Sequence, residues 1–247
     1  MKRTDRHAWA MSKSTLAGSW SVERCRGGAD ALLASLGSGG PRRRVAVCEV
    51  TRPALVLGST QAVDHVDWSR VAARRLDVAR RSGGGGCVVV GPGDQAWFEL
   101  WLPRDDVLWV DDVVKSFDWV GRAWLDALGQ LGIGDLELCP HAVMDGPWAR
   151  KICFAGRGPG EVLAGGRKVV GLSQRRSRLG ANFHIAALVN WDASGMLDLM
   201  AGGHGPDGGH ERSARSEQEA LDQLARGLGD VVSGPQLEEA FLCALPE

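Results

Sequence analysis

Four consecutive glycines, residues 83–86, constrain this chain more than any other stretch of its sequence. Glycine lacks a Cβ atom, so the run can adopt positive φ angles and lets a ligand approach the main chain closely. Arg80, Arg81 and Ser82 precede the run, and the apolar residues 87–90 follow it as a buried strand would. The pattern predicts a loop that offers backbone N–H groups and arginine side chains to an anion. A flexible surface turn is the alternative that composition alone favours.

A second stretch, residues 165–176, favours the anion-binding interpretation. It places Lys168 in a short apolar strand pattern between glycines and ends in two arginines. An ammonium group in a strand beside a ligand can hold an oxygen atom on which negative charge builds. An exposed strand lysine is the other interpretation. We predict that the two stretches meet at one ligand pocket, with Lys168 at a solvent-reachable position.

Length and charge limit the possible classes of protein. The chain has 247 residues and a net charge of -1, so its overall charge calls for neither nucleic acid nor an anionic membrane as partner. Its six cysteines form no CxxC pair, which argues against a zinc site or a disulfide framework, and we expect no metal ligands. No apolar run approaches the length of a bilayer span, and we expect a cytoplasmic protein. We predict a leader without order at 1–17, a single domain over 18–247 and a flexible loop at 202–213.

The hydrophobic periodicity predicts an α+β fold in which helices flank a mixed or antiparallel β-sheet. The turn residues 91–94 predict a hairpin between the strands on either side of them. Helices are predicted at 30–36, 68–79, 113–131, 217–228 and 236–242. Strands are predicted at 44–50, 54–57, 87–90, 97–102, 136–138, 152–154, 161–163, 168–172 and 183–191.

Two other functional classes do not fit these stretches. A P-loop or Rossmann turn needs the order strand, loop, helix, whereas here the glycines precede a strand and no Gly-Lys-Ser/Thr follows them. The basic tract at 175–178 has no interleaved aromatic residues on which RNA bases could stack.

Three segments, in order, resemble the catalytic domain shared by lipoate-protein ligases, biotin-protein ligases and octanoyltransferases. Residues 80–88 resemble the RRxSGGGAV loop of the lipoate branch, and residues 166–176 resemble its GxKxxGSAQRR segment. Residues 53–61 are similar to its PxVVIGRxQ segment. The likeness extends over about residues 30–200.

The resemblance implies a ligase that activates lipoate or octanoate with ATP and magnesium as an acyl-adenylate. The acyl group then passes to a lysine on the lipoyl carrier domain of a 2-oxoacid dehydrogenase or a glycine-cleavage protein. Lys168 would be the catalytic residue. For His184, a satisfied core histidine is the interpretation we place first. The implied substrate contacts are Arg80, Arg81, Ser82, Gly83, Gly84, Gly85, Gly86, Gly171, Ser173, Gln174 and His184.

The chain also departs from the lipoate branch. Residues 90–94 stand where those ligases continue with HDLGN, and the accessory C-terminal domain of many ATP-using members does not follow. Either a separate accessory subunit supplies that domain or ATP is not used.

Cys153 offers a route without ATP. It lies in a Cys-Phe pair that resembles the place where one octanoyltransferase type has its nucleophile. A thiolate there would accept octanoate from octanoyl-acyl carrier protein and need no cofactor. A buried structural cysteine is the alternative. The two family segments favour ligation over this transfer, and a non-catalytic acyl- or lipoyl-binding member is the third hypothesis.

Overall fold

The structure, a computed structural model, has two β-sheets that lie against each other with helices on their outer sides. It describes residues 10–17, 19–35, 39–144, 146–202 and 210–247, with the side chains of these ranges except 10–17 and 210–214. Among the described residues, every helix is too short or too polar to span a bilayer.

The large sheet has eight strands in the order β1-β2-β3-β7-β11-β10-β9-β8. Its neighbouring strands are antiparallel except β2 and β3, which makes the sheet mixed. The strands are β1 (Ala10–Ala17), β2 (Trp20–Gly27), β3 (Arg44–Val50), β7 (Gln95–Pro103), β8 (Leu136–Leu138), β9 (Val162–Ala164), β10 (Arg167–Arg176) and β11 (Gly180–Leu188).

The small sheet has three strands in the order β5-β4-β6, namely β5 (Asp77–Arg80), β4 (Ala54–Leu57) and β6 (Val88–Val90). Strand β4 pairs in parallel with β5 and antiparallel with β6. The glycine run lies between β5 and β6, so both of its ends are anchored in this sheet.

Six α-helices complete the described part of the chain. They are α1 (Ala29–Ser35), α2 (Trp68–Ala73), α3 (Asp118–Gln130), α4 (Ala193–Asp198), α5 (His210–Asp222) and α6 (Gly234–Ala244). Helices α3 and α6 cover one face of the large sheet, where the ring of Trp124 stacks on Phe241 with centroids 4.3 Å apart and meets Phe98 of β7 edge-on. Alternate residues of β7 therefore point into this core and away from it.

The α+β fold is as predicted, but the small sheet corrects two details. Helix α2 ends at Ala73 rather than at residue 79, because Arg75 has a φ of 53° and the chain turns there into β5. The predicted hairpin is wrong: β6 pairs with β4, whereas β7 pairs with β3 and β11. The turn at 91–94 carries the chain from one sheet to the other.

Three further predictions also differ from the structure. Residues 10–17, expected within a leader without order, form β1 and pair with β2, while residues 1–9 lie outside the described residues. The predicted strand at 152–154 is a turn that makes one β-bridge, from Ile152 to Cys87. Of the loop expected at 202–213, residues 210–213 begin α5 and residues 203–209 lie outside the description.

Candidate active site

A cavity of about 420 Å³ lies between the small sheet and the face of the large sheet opposite to α3 and α6. The glycine run forms one wall, and residues of β10 and β11 form the other. Most of the lining is apolar. Its apolar residues include Leu33, Val56, Val88, Val90, Trp97, Phe117, Met144, Phe154, Leu172 and Ile185.

The two arginines before the glycine run hold that loop in shape. Arg80 Nη1 donates to the carbonyl oxygens of Gly58 and Gln61 at 2.6 and 3.0 Å. Arg81 Nη2 donates to the carbonyl oxygens of Gly84 and Gly86 at 2.7 and 2.8 Å. Arg80, which the sequence predicted as a substrate contact, does not line the cavity.

Arg81 nevertheless keeps a free donor. Its side chain lines the cavity and only 6% of the residue is exposed, yet Nη1 has no hydrogen-bond partner among the described residues. Within the part of the chain that the structure describes, the backbone N–H groups of Gly83–Gly86 also donate to no acceptor. The Arg81 donor is buried, and a buried donor without a partner is costly, so this end of the cavity is suited to a carboxylate, a carbonyl or one phosphate group.

The glycines of the run differ in how much space a side chain would have and in their backbone φ angles. A Cβ atom on Gly83 would lie 2.5 Å from Ser173 Oγ and 2.9 Å from the His184 ring. Gly85 has a φ of 96°, whereas a Cβ atom on Gly84 would meet nothing within 4 Å. The close contact at Gly83 brings the loop against β10 and β11, as the sequence predicted.

Lys168 lies in the cavity wall but is not solvent-reachable, since only 1% of the residue is exposed. Its Nζ atom is 2.7 Å from Glu161 Oε2 and donates to the carbonyl oxygens of Cys153 and Gly156 at 2.9 and 3.0 Å. These contacts occupy all three N–H bonds of the ammonium group. The predicted exposed position is therefore wrong, because a carboxylate missed in the sequence neutralises this lysine.

Glu161 also organises the backbone around Lys168. Its Oε2 accepts from Gly158 N at 2.6 Å, and its Oε1 accepts from Leu172 N at 3.0 Å. The carboxylate thereby joins the turn before β9 to the middle of β10.

Cys153 is the one partly exposed cysteine that lines the cavity among the described residues. Its Sγ is 4.0 Å from Arg81 Nη2, and its carbonyl oxygen accepts from Lys168. Cys87, by contrast, is buried, and burial raises the pKa of its thiol to about 11. Of these two thiols, Cys153 is the one placed for chemistry with a bound ligand.

His184 is both a satisfied residue and a cavity residue. It is a direct cross-strand partner of Glu99, and its Nδ1 is 2.5 Å from Glu99 Oε2. Its Nε2 is 2.8 Å from Ser82 Oγ in the glycine-rich loop. The sequence favoured a satisfied histidine in this place but did not identify Glu99 as its partner. A single carboxylate within the apolar strand around Trp97 was the available signal, since such a charge is rarely buried without a partner.

The remaining predicted contacts lie together on β10, whereas an arginine at the end of this strand makes other contacts. Gly171, Ser173 and Gln174 line the cavity, and the Nε2 atom of Gln174 is buried with no partner in the part of the chain that the structure describes. Arg176, at the end of the same strand, donates instead to the carbonyl oxygens of Val110 and Asp111. Most of the predicted contacts thus meet at one end of the cavity.

The divergent segment 90–94 has a structural role beside this site. The carbonyl oxygen of Asp94 accepts from the N–H groups of Val189 and Asn190, each within 3 Å. Asp94 Oδ1 also accepts from Asn190 Nδ2 at 3.1 Å. The segment therefore fixes the end of β11.

Comparisons with known proteins place these features in context. The profile of the lipoyl protein ligase A/B catalytic domain matches residues 29–246. A search of curated proteins found no match. In the described residues, no cluster of three or more His, Cys, Asp or Glu side chains could hold a metal ion.

Solved structures share the fold at low sequence identity. A bipartite lipoate protein ligase from Thermoplasma acidophilum, studied with its E2 lipoyl domain, superposes with a TM-score of 0.63 at 18% identity, over 87% of this chain and 74% of that one. A candidate lipoate protein ligase from the same organism with bound lipoic acid has a TM-score of 0.62 at 18% identity, over 87% and 76%. A lipoate-protein ligase A bound with ATP has a TM-score of 0.62 at 20% identity, over 87% and 76%.

Proposed function

The chain belongs to the lipoyl protein ligase A/B catalytic-domain family, and we propose that it attaches lipoate or octanoate to a lysine of a lipoyl carrier domain. The observation that carries the proposal is an apolar cavity whose polar end combines the free Nη1 of Arg81, the glycine N–H groups, Cys153 and Lys168. An acyl chain with one reactive carboxyl or carbonyl end has this distribution of polarity.

The size of the cavity supports a small acyl substrate. Its volume of about 420 Å³ lies within the range of about 300–1,000 Å³ that is usual for small-molecule sites. The apolar lining would take the chain, and the Arg81 end would take the oxygen atoms. Each residue at that end is held by contacts to its neighbours, so little reorganisation is needed to bind such a ligand.

For the ligase route, the polar end fits a single anionic group. Arg81 Nη1 and the glycine N–H groups would hold the carboxylate or the phosphate next to it. ATP, when bound, would supply the activated acyl group, and magnesium would be carried with the nucleotide. The bipartite relative from T. acidophilum supports a separate accessory subunit as a partner on this route.

A second route is favoured by the position of Cys153. Its thiol lies beside the Arg81 guanidinium, and its backbone is fixed by Lys168. Octanoyl-acyl carrier protein would transfer its acyl group from one thioester to another on Cys153, and the acceptor amine would then release the thiol. Lys168, with its three donors occupied, would position the nucleophile on this route.

A three-arm assay tests the function and separates the routes. An apo lipoyl domain is incubated with the protein and either octanoate with Mg-ATP, lipoate with Mg-ATP, or octanoyl-acyl carrier protein alone, and its mass is measured. We expect acylation of one lysine in at least one arm. No mass increase in any arm, with octanoate still bound by calorimetry, would overturn the enzyme and leave the acyl-binding member.

The Cys153→Ser variant then assigns the route. Ligation should need Mg-ATP and survive the substitution, because no enzyme nucleophile takes part. Transfer should proceed without ATP, fail in the variant and leave a hydroxylamine-sensitive octanoyl adduct on the native protein alone.

A further inference from the structure

Ser82, His184 and Glu99 form a continuous hydrogen-bonded chain that the proposed acyl transfer does not use. Ser82 Oγ lies 2.8 Å from His184 Nε2, and His184 Nδ1 lies 2.5 Å from Glu99 Oε2. Trp97 Nε1 donates to the other carboxylate oxygen of Glu99 at 2.8 Å. A hydroxyl, an imidazole and a carboxylate in this order are the parts of a serine-nucleophile triad.

One tautomer of His184 allows the three side chains to share protons in the direction that activates Ser82. Glu99 is 2% exposed and His184 is 8% exposed, and the ionised carboxylate can only accept hydrogen bonds. With Glu99 ionised and the imidazole neutral, His184 Nδ1 is the donor to Glu99 and Nε2 accepts the proton of Ser82. The Ser82 hydroxyl is therefore aligned with a base that is already oriented.

The ring of His184 is also held on its other side. It packs against Gly83, where a Cβ atom would lie 2.9 Å from the ring. In the sheet, His184 is the register partner of both Ser173 and Glu99. The imidazole is thus positioned by the sheet and by the loop that carries its serine partner.

A substrate can reach Ser82, and N–H groups that could stabilise an oxyanion lie next to it. The residue is partly exposed, whereas its partners His184 and Glu99 line the acyl cavity. The N–H groups of Gly83 and Gly84, directly after it, donate to no acceptor in the described ranges. Free N–H groups beside a nucleophile can stabilise an oxyanion.

From this geometry we propose that Ser82 is a nucleophile that gives the chain a second activity, the hydrolysis of medium-chain acyl esters and thioesters. Ser82 Oγ bonds to the acyl carbon while its proton passes to His184 Nε2. The bond to the leaving oxygen or sulfur breaks, and His184 returns the proton to that atom. Water then cleaves the acyl-serine ester by the same relay, which releases the carboxylic acid and restores the hydroxyl. The activity requires neither ATP nor a carrier domain.

The first experiment labels the native protein with a fluorophosphonate, a probe for activated serine hydroxyls, and locates the adduct by peptide mass mapping. We expect the adduct on Ser82 and none in Ser82→Ala. Glu99→Gln and His184→Gln should slow labelling at least about a hundredfold, since removal of an orienting carboxylate costs serine hydrolases about 10⁴-fold. Ser59→Ala is the matched control, because Ser59 is a serine of the neighbouring loop that is partly exposed like Ser82 but, in the described ranges, has no histidine on its hydroxyl, and this variant should label normally.

Hydrolysis of p-nitrophenyl octanoate separates this activity from thiol chemistry. Turnover should persist in Cys153→Ala and disappear in Ser82→Ala, with both variants folded by circular dichroism. Turnover retained in Ser82→Ala would overturn the proposal, as would an equal labelling rate in native protein and His184→Gln. Failure of the carrier acylation assay would leave this result unaffected, because no carrier takes part.

Discussion

The glycine-rich loop and strand β10 each contribute one buried cation to the cavity, but the two cations are used differently. Arg81 is held by carbonyl oxygens of its own loop and forms no salt bridge within the described residues, so its charge and its Nη1 donor remain available. Lys168 is paired with Glu161 and has no free donor. Equal charges in the sequence therefore leave a free donor at the cavity in one region and complete a buried ion pair in the other.

Of the substitutions considered, replacing Lys168 on β10 should change the stability of the protein most. Lys168→Met should lower the free energy of unfolding by about 3–5 kcal/mol, because Glu161 is left as a buried, unpaired carboxylate. Urea denaturation followed by circular dichroism measures the change.

The matched control is the double variant Lys168→Met with Glu161→Gln. It should recover a large part of the lost stability, since neither charge remains. A single variant as stable as the native protein would show that Lys168 is not structural.

Replacing Arg81 in the glycine-rich loop should weaken ligand binding. Arg81→Met should raise the Kd for octanoate about ten- to a hundredfold, because hydrogen bonds to charged groups contribute about 1.5–3 kcal/mol. Isothermal titration calorimetry measures the affinity. Arg80→Met is the comparison, since Arg80 does not line the cavity, and it should weaken binding less. Equal losses in the two variants would remove the distinction between them.

The glycine-rich loop contacts β10 at Gly83, and adding one methyl group there tests how tightly the two are packed. Gly83→Ala should destabilise the protein by about 1–3 kcal/mol, because its Cβ atom would lie 2.5 Å from Ser173 Oγ. Gly84→Ala, where the added atom meets nothing, should change stability by less than about 0.5 kcal/mol. Thermal and urea unfolding of the pair test this difference, and similar losses would contradict the packing at Gly83.

The smallest effect is expected for an exposed ion pair with nearly the same geometry as Lys168–Glu161. Arg24 and Glu238 approach to 2.8 Å, but the Arg24 side chain is 57% exposed. Arg24→Ala should cost less than about 1 kcal/mol, since solvent screens surface pairs. A loss as large as that of Lys168→Met would mean that burial does not explain the effect at β10.

The sequence correctly predicted features that depend on short, continuous stretches of the chain. The family and the α+β class are confirmed, because the glycine loop, the lysine segment and the stripe of α3 each lie in a short, continuous stretch. Strand β5 was missed because it is four residues long and follows a helix of similar composition. The hairpin error has the same origin, since a turn signal at 91–94 cannot say which sheet the next strand joins.

The partners of the two buried carboxylates, Glu99 and Glu161, could not be predicted from the sequence for a different reason. Glu99 lies 85 residues from His184, whereas Glu161 lies near Lys168 in sequence but meets it only through the turn before β9 and the fold of β10. The only sequence signal of their burial is an isolated charge beside or within an apolar strand. Which residue each carboxylate pairs with depends on how the strands are arranged in the sheet. The structural role of Lys168 therefore followed from tertiary contacts that the chain order does not reveal.

The contact from Lys168 to the carbonyl oxygens of Cys153 and Gly156 links ligand affinity to the turn that carries the thiol. An anion that drew Nζ into the cavity would take it from three partners, so its apparent affinity would be reduced by the free energy of those contacts. The linkage is reciprocal: a substitution that loosens residues 153–156 should strengthen anion binding by the factor by which the anion loosens the turn. Anion affinity and the fixed position of the Cys153 backbone are in this sense opposing quantities, and Lys168 contributes to both.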